Sequence, residues 1–239
     1  MAELTFHDLS FEEKDEKVRV NFLKLFYFEV ERSMLDSLGN FKISSNKIEF
    51  SDISDKRAQR KFGIFLSKGF IKLKNRINNK PAIYVHKNSG IPLMGTNYFG
   101  LIDRGTNLIE VKPITSCNLG CIYCSVDEGP LSRRKVDFVV EKDYLVDELK
   151  KLIAFKQESY IDAHINAQGE PTLYAPMVEL VRDIAKMPQV KCISIDTNGT
   201  LLHKKLIDDL AEAGLTRINL SLNALDQKIA DKMAGFPYN

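Results

Sequence analysis

The chain has no tryptophan, only four cysteines among 239 residues, and no uninterrupted apolar stretch of the roughly 18 residues that a membrane-spanning helix needs. Four cysteines are too few for a disulfide scaffold. Residues 1–8 show no basic segment followed by an apolar core, so we expect no secretory signal. The net charge of +2 gives no global preference for nucleic acid or membrane. These absences, with an ordinary 44% hydrophobic content, predict a globular protein of the cytoplasm that does not enter the membrane.

Three of the four cysteines crowd into one short stretch. Cys117, Cys121 and Cys124 are separated by three and then two residues, directly after a strand-like run. Structural zinc sites take four ligands, usually from two separate clips, whereas three thiolates on a cubane iron-sulfur cluster leave one iron open for chemistry. The fourth, Cys192, lies in an apolar segment and is predicted to be a small buried strand residue rather than a ligand.

The CxxxCxxC loop, with Tyr123 just before its third cysteine, resembles the cluster loop of the radical S-adenosylmethionine (radical SAM) enzymes. The resemblance implies that Cys117, Cys121 and Cys124 ligate a 4Fe-4S cluster. In that family the free iron chelates S-adenosylmethionine, and one electron, here from a flavodoxin- or ferredoxin-like donor, cleaves it. The resulting 5'-deoxyadenosyl radical then abstracts hydrogen from the substrate.

The part before the cysteines is predicted to be a small α+β domain, residues 1–106. Apolar residues at helical spacing predict a long helix over residues 11–38. Short apolar runs at 41–43 and 47–50 predict a hairpin, residues 54–67 a second helix, and residues 70–85 two further strands.

Residues 56–87 contain ten basic and no acidic side chains. They are Lys56, Arg57, Arg60, Lys61, Lys68, Lys72, Lys74, Arg76, Lys80 and Lys87. This segment is interpreted either as a solvated helix face and hairpin or as a surface for phosphate-bearing partners such as RNA.

A Gly/Pro connector at residues 89–96 separates this part from a region of alternating strands and helices, residues 107–239. Strands are expected at 108–114, 161–167, 190–196 and 217–222, and helices at 141–156, 177–187 and 204–213. The alternation predicts an α/β fold of parallel strands with helices packed outside. The resemblance implies a partial (β/α) barrel, of which the first four β/α units are visible. A sheet that stopped there would expose an edge strand, which predicts a fragment of a longer enzyme or a partner that completes it.

Polar residues follow each predicted strand, where parallel sheets gather their ligands. Residues 168–173, Gln-Gly-Glu-Pro-Thr-Leu, resemble the family's GGEP motif with Gln168 in place of the first glycine, so Gly169 and Glu170 are expected to hold the cofactor's amino group. The resemblance assigns further contacts with S-adenosylmethionine to Tyr123, Thr197, Asn198, Ser221 and Asn223. Each of the last four is equally a plausible turn former or helix cap. His164 is expected to be a satisfied core residue.

The sequence therefore favours a radical SAM enzyme acting on an unidentified substrate, with RNA preferred to peptide because of the basic segment. One alternative is a noncatalytic nucleic-acid-binding module whose cysteines bind a zinc ion, and another is a folded but inactive half barrel that binds the cluster without turnover. No residue is assigned as catalytic in any of these cases, and the pattern gives no oligomeric state.

Overall fold

The structure is a computed structural model that describes residues 2–238, and it divides into two compact units between Ile83 and Tyr84. The predicted boundary after residue 106 differs from this division. Residues 84–106 belong to the second unit because their strand β9 (Gly100–Asp103) pairs antiparallel with β10 (Leu108–Lys112) in the central sheet. A separate two-stranded sheet consists of β8 (Ala82–Val85) and β11 (Asp137–Val140).

The first unit contains two antiparallel sheets. One has the order β1-β6-β5 and the other β2-β3-β4-β7. Their strands are β1 (Ala2–Thr5), β2 (Leu9–Lys14), β3 (Lys17–Phe22), β4 (Phe26–Glu31), β5 (Phe41–Ser44), β6 (Lys47–Phe50) and β7 (Lys74–Asn75). The hairpin predicted between residues 41 and 50 is present as β5 and β6.

The long helix predicted over residues 11–38 is wrong. Those residues form β2, β3 and β4, followed by the short helix α1 (Arg32–Asp36). The apolar residues Val18, Phe22, Phe26 and Val30 are four apart, which suits a helical turn and also a strand, because four is twice the strand period of two. Within β3, Val20 is as fully buried as Val18. Burial of every second residue is the strand period, so these residues form a strand.

The second predicted helix is confirmed as α2 (Asp55–Phe70). It buries Ala58, Phe62, Phe65 and Gly69 on one face. A Cβ atom at Gly69 would lie 2.2 Å from the ring of Phe28, so α2 packs directly on β4. Four of the ten basic side chains of the 56–87 segment, Lys56, Arg57, Arg60 and Lys68, are exposed on α2.

The second unit is built on a five-stranded sheet of order β14-β13-β12-β10-β9, in which all neighbours except β9 and β10 are parallel. The three further strands are β12 (Ile161–Ile165), β13 (Val190–Thr197) and β14 (Arg217–Leu220). The helices are α3 (Lys142–Lys156), α4 (Met177–Ala185), α5 (Lys204–Ala213) and α6 (Gln227–Ala234). All four predicted strands and three predicted helices of this region are confirmed.

The sheet remains open, so the barrel is partial, as predicted. The edge strand β14 is largely exposed, with Leu220 54% accessible, whereas Ile109, Ile165 and Ile195 in the central strands are fully buried. Within residues 2–238, the structure contains no helix with the length and apolar character needed to cross a bilayer.

Candidate active site

The cysteine loop follows β10 and is held by backbone hydrogen bonds from the end of α6. The N–H groups of Gly120 and Ile122 donate to the carbonyls of Ala234 and Met233 at 2.9 and 3.0 Å. Those carbonyls lie in the last turn of the helix, where they have no partner within the helix itself. A Cβ atom at Gly235 would lie 2.4 Å from the carbonyl oxygen of Gly120, so the two chain segments are in direct backbone contact.

The segment after β12 packs against the start of the same loop. The N–H of Glu170 donates to the carbonyl of Ser116 at 2.9 Å. A Cβ atom at Gly169 would lie 2.1 Å from that oxygen and 2.3 Å from the carbonyl oxygen of Thr115, which leaves room only for glycine. The predicted Gly-Glu-Pro motif therefore touches the residue that precedes Cys117.

Glu170 is 2% exposed, and its carboxylate joins two chain segments, its own and the end of β13. Its Oε1 accepts hydrogen bonds from the N–H and hydroxyl of Thr172 and, at 2.6 Å, from the hydroxyl of Thr197. Its Oε2 accepts one, from the Asn198 N–H at 2.8 Å. Oε2 therefore accepts one of these hydrogen bonds and Oε1 three, which makes Oε2 the less crowded acceptor of the carboxylate.

The side chain of Asn198 continues this network into the cysteine loop. Its Nδ2 donates to Asn118 Oδ1 at 3.0 Å, and Asn118 in turn donates to the hydroxyl of Thr200 at 2.8 Å. Asn118 lies between Cys117 and Cys121, so the loop is fixed from the end of β13 as well as from α6. Sequence reasoning missed Asn118; its position inside the cysteine motif was the available signal.

The last predicted site residues lie after β14. Asn223 donates to the hydroxyl of Tyr123 at 2.5 Å, and the pKa of that phenol is raised by burial and by its hydrogen bond to Cys121. The carbonyl of Ser221 accepts a hydrogen bond from Tyr238 at 2.9 Å, and the same phenol donates to the Asn198 carbonyl at 2.5 Å. Nothing in the sequence pattern identified Tyr238.

One cavity of about 560 Å³ joins these strand ends. Its lining includes the predicted residues Cys117, Cys121, Cys124, Tyr123, Gly169, Glu170, Thr197, Asn198 and Ser221. Asn223 is not among the lining residues and reaches the site only through Tyr123. Nine of the ten predicted site residues therefore line the same cavity.

A charged wall that the sequence analysis did not assign faces the same cavity. Glu110 and Lys112 project from β10, both about 5% exposed, and lie 3.2 Å apart. Arg104 donates to Glu110 Oε1 from Nε at 2.7 Å, and Lys112 donates to the Asn166 carbonyl at 2.8 Å. The signal was present in the alternation of Glu110 and Lys112 with the buried Ile109 and Val111.

The donor chemistry of the loop fits an iron-sulfur cluster. The three thiols are partly buried and share the cavity with the Gly169-Glu170 segment. Burial raises the pKa of the Cys117 thiol to about 12, partly offset by a hydrogen bond from the Leu119 backbone. That raised pKa applies to the thiol without a metal; a coordinated metal would deprotonate it outright.

A single-ion zinc clip is not favoured. Among residues 2–238, no three His, Cys, Asp or Glu side chains are grouped so that they could hold one metal ion. A cubane spreads its thiolate ligands over separate irons.

The remaining residues singled out in the sequence have local structural partners. His164 contacts the hydroxyl of Ser194 at 2.8 Å and Asp196 at 3.2 Å, as expected of a satisfied residue in the sheet. Cys192 lies in β13, as predicted, but is only partly buried, and its sulfur is 3.3 Å from the hydroxyl of Thr216.

Comparison with known proteins identifies the class. Residues 111–239 match the Radical SAM superfamily model, which covers the cysteine loop and all four strand ends that line the cavity. The chain belongs to the radical SAM superfamily, a family of enzymes whose cofactors are a 4Fe-4S cluster and S-adenosylmethionine.

Two kinds of curated relative were found. Uncharacterized protein MJ0103 of Methanocaldococcus jannaschii is 49% identical over 166 residues, which are 68% of this chain and 38% of that protein. GTP 3',8-cyclase of Rippkaea orientalis is 38% identical over 130 residues, 53% of this chain and 37% of the relative. The chain thus spans less than two fifths of the length of these two relatives.

Among solved structures, Streptococcus suis SuiB bound to the precursor peptide SuiA matches 98% of this chain and 51% of its own, at 15% identity and a TM-score of 0.42. A likeness of that size supports no inference about function.

Proposed function

We propose that this chain is the cofactor-binding part of a radical SAM enzyme that abstracts a hydrogen atom from its substrate. The observation that carries the proposal is the shared cavity, which joins the three cysteines to Gly169, Glu170 and the end of β13. When bound, the cluster and S-adenosylmethionine supply a 5'-deoxyadenosyl radical through one-electron cleavage of the sulfonium.

The chain's own residues bind and orient the two cofactors. Cys117, Cys121 and Cys124 ligate the cluster. Glu170 Oε2, the oxygen that accepts a single hydrogen bond, suits the ammonium group of S-adenosylmethionine, because a charge-assisted hydrogen bond to a buried carboxylate is strong. Gly169 keeps the backbone within reach of the cysteine loop.

The polar groups after β13 and β14 complete the binding surface. Thr197, Asn198 and Ser221 face the cavity and are proposed to contact the ribose and carboxylate of S-adenosylmethionine. Tyr123, held by Asn223, is proposed to lie against the adenine. A flavodoxin- or ferredoxin-like protein is proposed as the one-electron donor.

For the substrate, RNA is the first class to test and peptide the second. The basic segment supports RNA, because α2 exposes Lys56, Arg57, Arg60 and Lys68 on one element, and such a surface suits a phosphate backbone.

The experiment is an anaerobic turnover assay with dithionite, S-adenosylmethionine and either cellular RNA or peptide fractions prepared in deuterated medium. Deuterium recovered in 5'-deoxyadenosine identifies the fraction that donates the hydrogen atom. We expect deuterium transfer from the RNA fraction. Deuterium transfer from the peptide fraction instead would show that the substrate is a peptide and not RNA. An absence of 5'-deoxyadenosine under every condition would refute the proposed activity.

A further inference from the structure

The surface outside the cysteine loop combines exposed apolar and cationic side chains. Ile122, between the second and third cysteines, is 72% exposed, and Leu131 is 66% exposed. A Cβ atom at Gly120 would lie 2.9 Å from Leu131 Cδ1, so Leu131 rests against the same loop. Two large apolar side chains therefore stand in solvent, one on the cysteine loop and one on the segment that packs against it.

The segment that contains Leu131 carries an excess of positive charge at its surface. The segment 126–135 has two acidic and three basic residues. Glu128 is buried and paired with Arg134 at 2.9 Å, and Asp127 lies 3.5 Å from Arg133. The side chain of Arg133 is nevertheless 92% exposed, and Lys135 is exposed as well.

An apolar centre with a charged rim is the usual composition of a protein interface, and small interfaces of this kind are typical of transient electron-transfer encounters. Electron transfer slows steeply with distance, so a donor must approach the cluster closely. The cysteine loop itself carries the proposed cluster ligands. A donor bound to the outer surface of this loop would therefore have a short distance to the cluster.

We propose that Ile122, Leu131, Arg133 and Lys135 form the docking surface for an acidic one-electron carrier of the flavodoxin type. We call these four residues the donor surface. The carrier loses one electron and the cluster gains it, with no bond formed or broken. This inference rests on the proposed function, because it requires a cluster held by the three cysteines.

Two charge reversals, Arg133→Glu and Lys135→Glu, test the donor surface. Neither residue lines the cofactor cavity. The matched control is Lys191→Glu, which reverses an exposed cation near the start of β13, at the opposite end of that strand from Thr197. The probe is an acidic flavodoxin, and the readouts are its dissociation constant by calorimetry and the rate at which the reduced flavodoxin bleaches the cluster's visible absorbance.

We expect each reversal to slow cluster reduction by flavodoxin and to weaken binding by about tenfold at low ionic strength, because charge steering acts mainly on association. The effect should shrink as salt is added. The control variant should behave like the unsubstituted protein. Reduction by dithionite, a small chemical reductant that needs no docking surface, should be unchanged in all three variants.

Equal rates with flavodoxin for the reversals and the control would overturn the proposal, as would a reversal that slows dithionite and flavodoxin alike, since the defect would then lie in the cluster loop. A surface covered by another part of a longer protein would give no flavodoxin binding at all and would also overturn it. If the cluster is reduced normally but no 5'-deoxyadenosine forms with dithionite, the proposed function fails instead. The two failures are therefore distinguishable.

Discussion

Thr197 donates a hydrogen bond to the buried carboxylate of Glu170 at 2.6 Å and so joins the ends of two neighbouring parallel strands. The N–H of Asn198 binds the other oxygen of the same carboxylate. Glu170 therefore holds the end of β13 at the cavity, and its Oε2, with one hydrogen bond, is the oxygen proposed to bind a ligand.

The variant Glu170→Gln tests this double use. An amide nitrogen cannot accept a hydrogen bond, so the substitution leaves at least one of these buried donors without a partner, at a cost of about 1–3 kcal/mol in the free energy of unfolding. We expect that loss in urea denaturation of the apoprotein, together with weaker binding of S-adenosylmethionine. The control Glu179→Gln alters an exposed carboxylate on α4 and should change neither quantity measurably. Equal effects of the two variants would contradict the assignment.

Gly169→Ala should destabilise the protein by about 1–3 kcal/mol, because the new Cβ atom would overlap the carbonyl oxygens of Thr115 and Ser116. Gly63→Ala is the matched comparison: it lies in the middle of α2 with nothing within 4 Å of the new atom. That change should stabilise its helix by up to about 1 kcal/mol. Urea unfolding of both variants measures the difference, and a neutral Gly169→Ala would show that the strand end can shift away from the cysteine loop.

Gly235→Ala probes the contact between α6 and the cysteine loop. Gly235 has a φ of 70°, and its added Cβ atom would press on the carbonyl oxygen of Gly120. We expect iron to be lost several times faster to a chelator after anaerobic reconstitution. Gly214→Ala carries a comparable strain at the end of α5, with a φ of 109°, but lies on another helix end. It should retain iron normally, and equal iron loss from both variants would assign the effect to general destabilisation.

Asp183 on α4 gives a pH-dependent contribution to stability. Hydrogen bonds from Lys142 on α3 and from Lys186 hold the pKa of its carboxyl below the usual range. A lowered folded-state pKa stabilises the protein above the unfolded value of about 3.9, and the contribution is lost as pH falls through the folded value.

Asp183→Asn should therefore cost about 1 kcal/mol at pH 7 and almost nothing at a pH below the lowered value, when the native carboxyl is also neutral. Urea denaturation at the two pH values is the measurement. Asp208→Asn breaks an exposed pair with Lys204 and should cost less than about 0.5 kcal/mol at pH 7. A cost for Asp183→Asn that does not change with pH would contradict the assignment to its charge.

The second unit was more predictable from sequence than the first, for a physical reason. Its central parallel strands are buried, and their apolar runs are bounded by clear turns such as Asn198-Gly199. In the first unit, apolar residues four apart fit both the helical and the strand period. This spacing outweighed the strand-like alternation of Val18 and Val20 and led to the wrong prediction of a helix. The site was predictable where a motif placed a residue at a strand end, as for Glu170 and Thr197. Asn118 and Tyr238 were missed because their roles depend on contacts between segments distant in sequence.

The central claim is that three thiolates hold a cluster with one iron left open. The most direct measurement is metal and sulfide analysis of the anaerobically reconstituted protein, followed by electron paramagnetic resonance of the reduced sample with and without S-adenosylmethionine. We predict about four iron and four sulfide per chain, loss of both on Cys121→Ala, and a changed spectrum when S-adenosylmethionine is added. Bound zinc without iron, or an iron spectrum that S-adenosylmethionine leaves unaltered, would contradict the account.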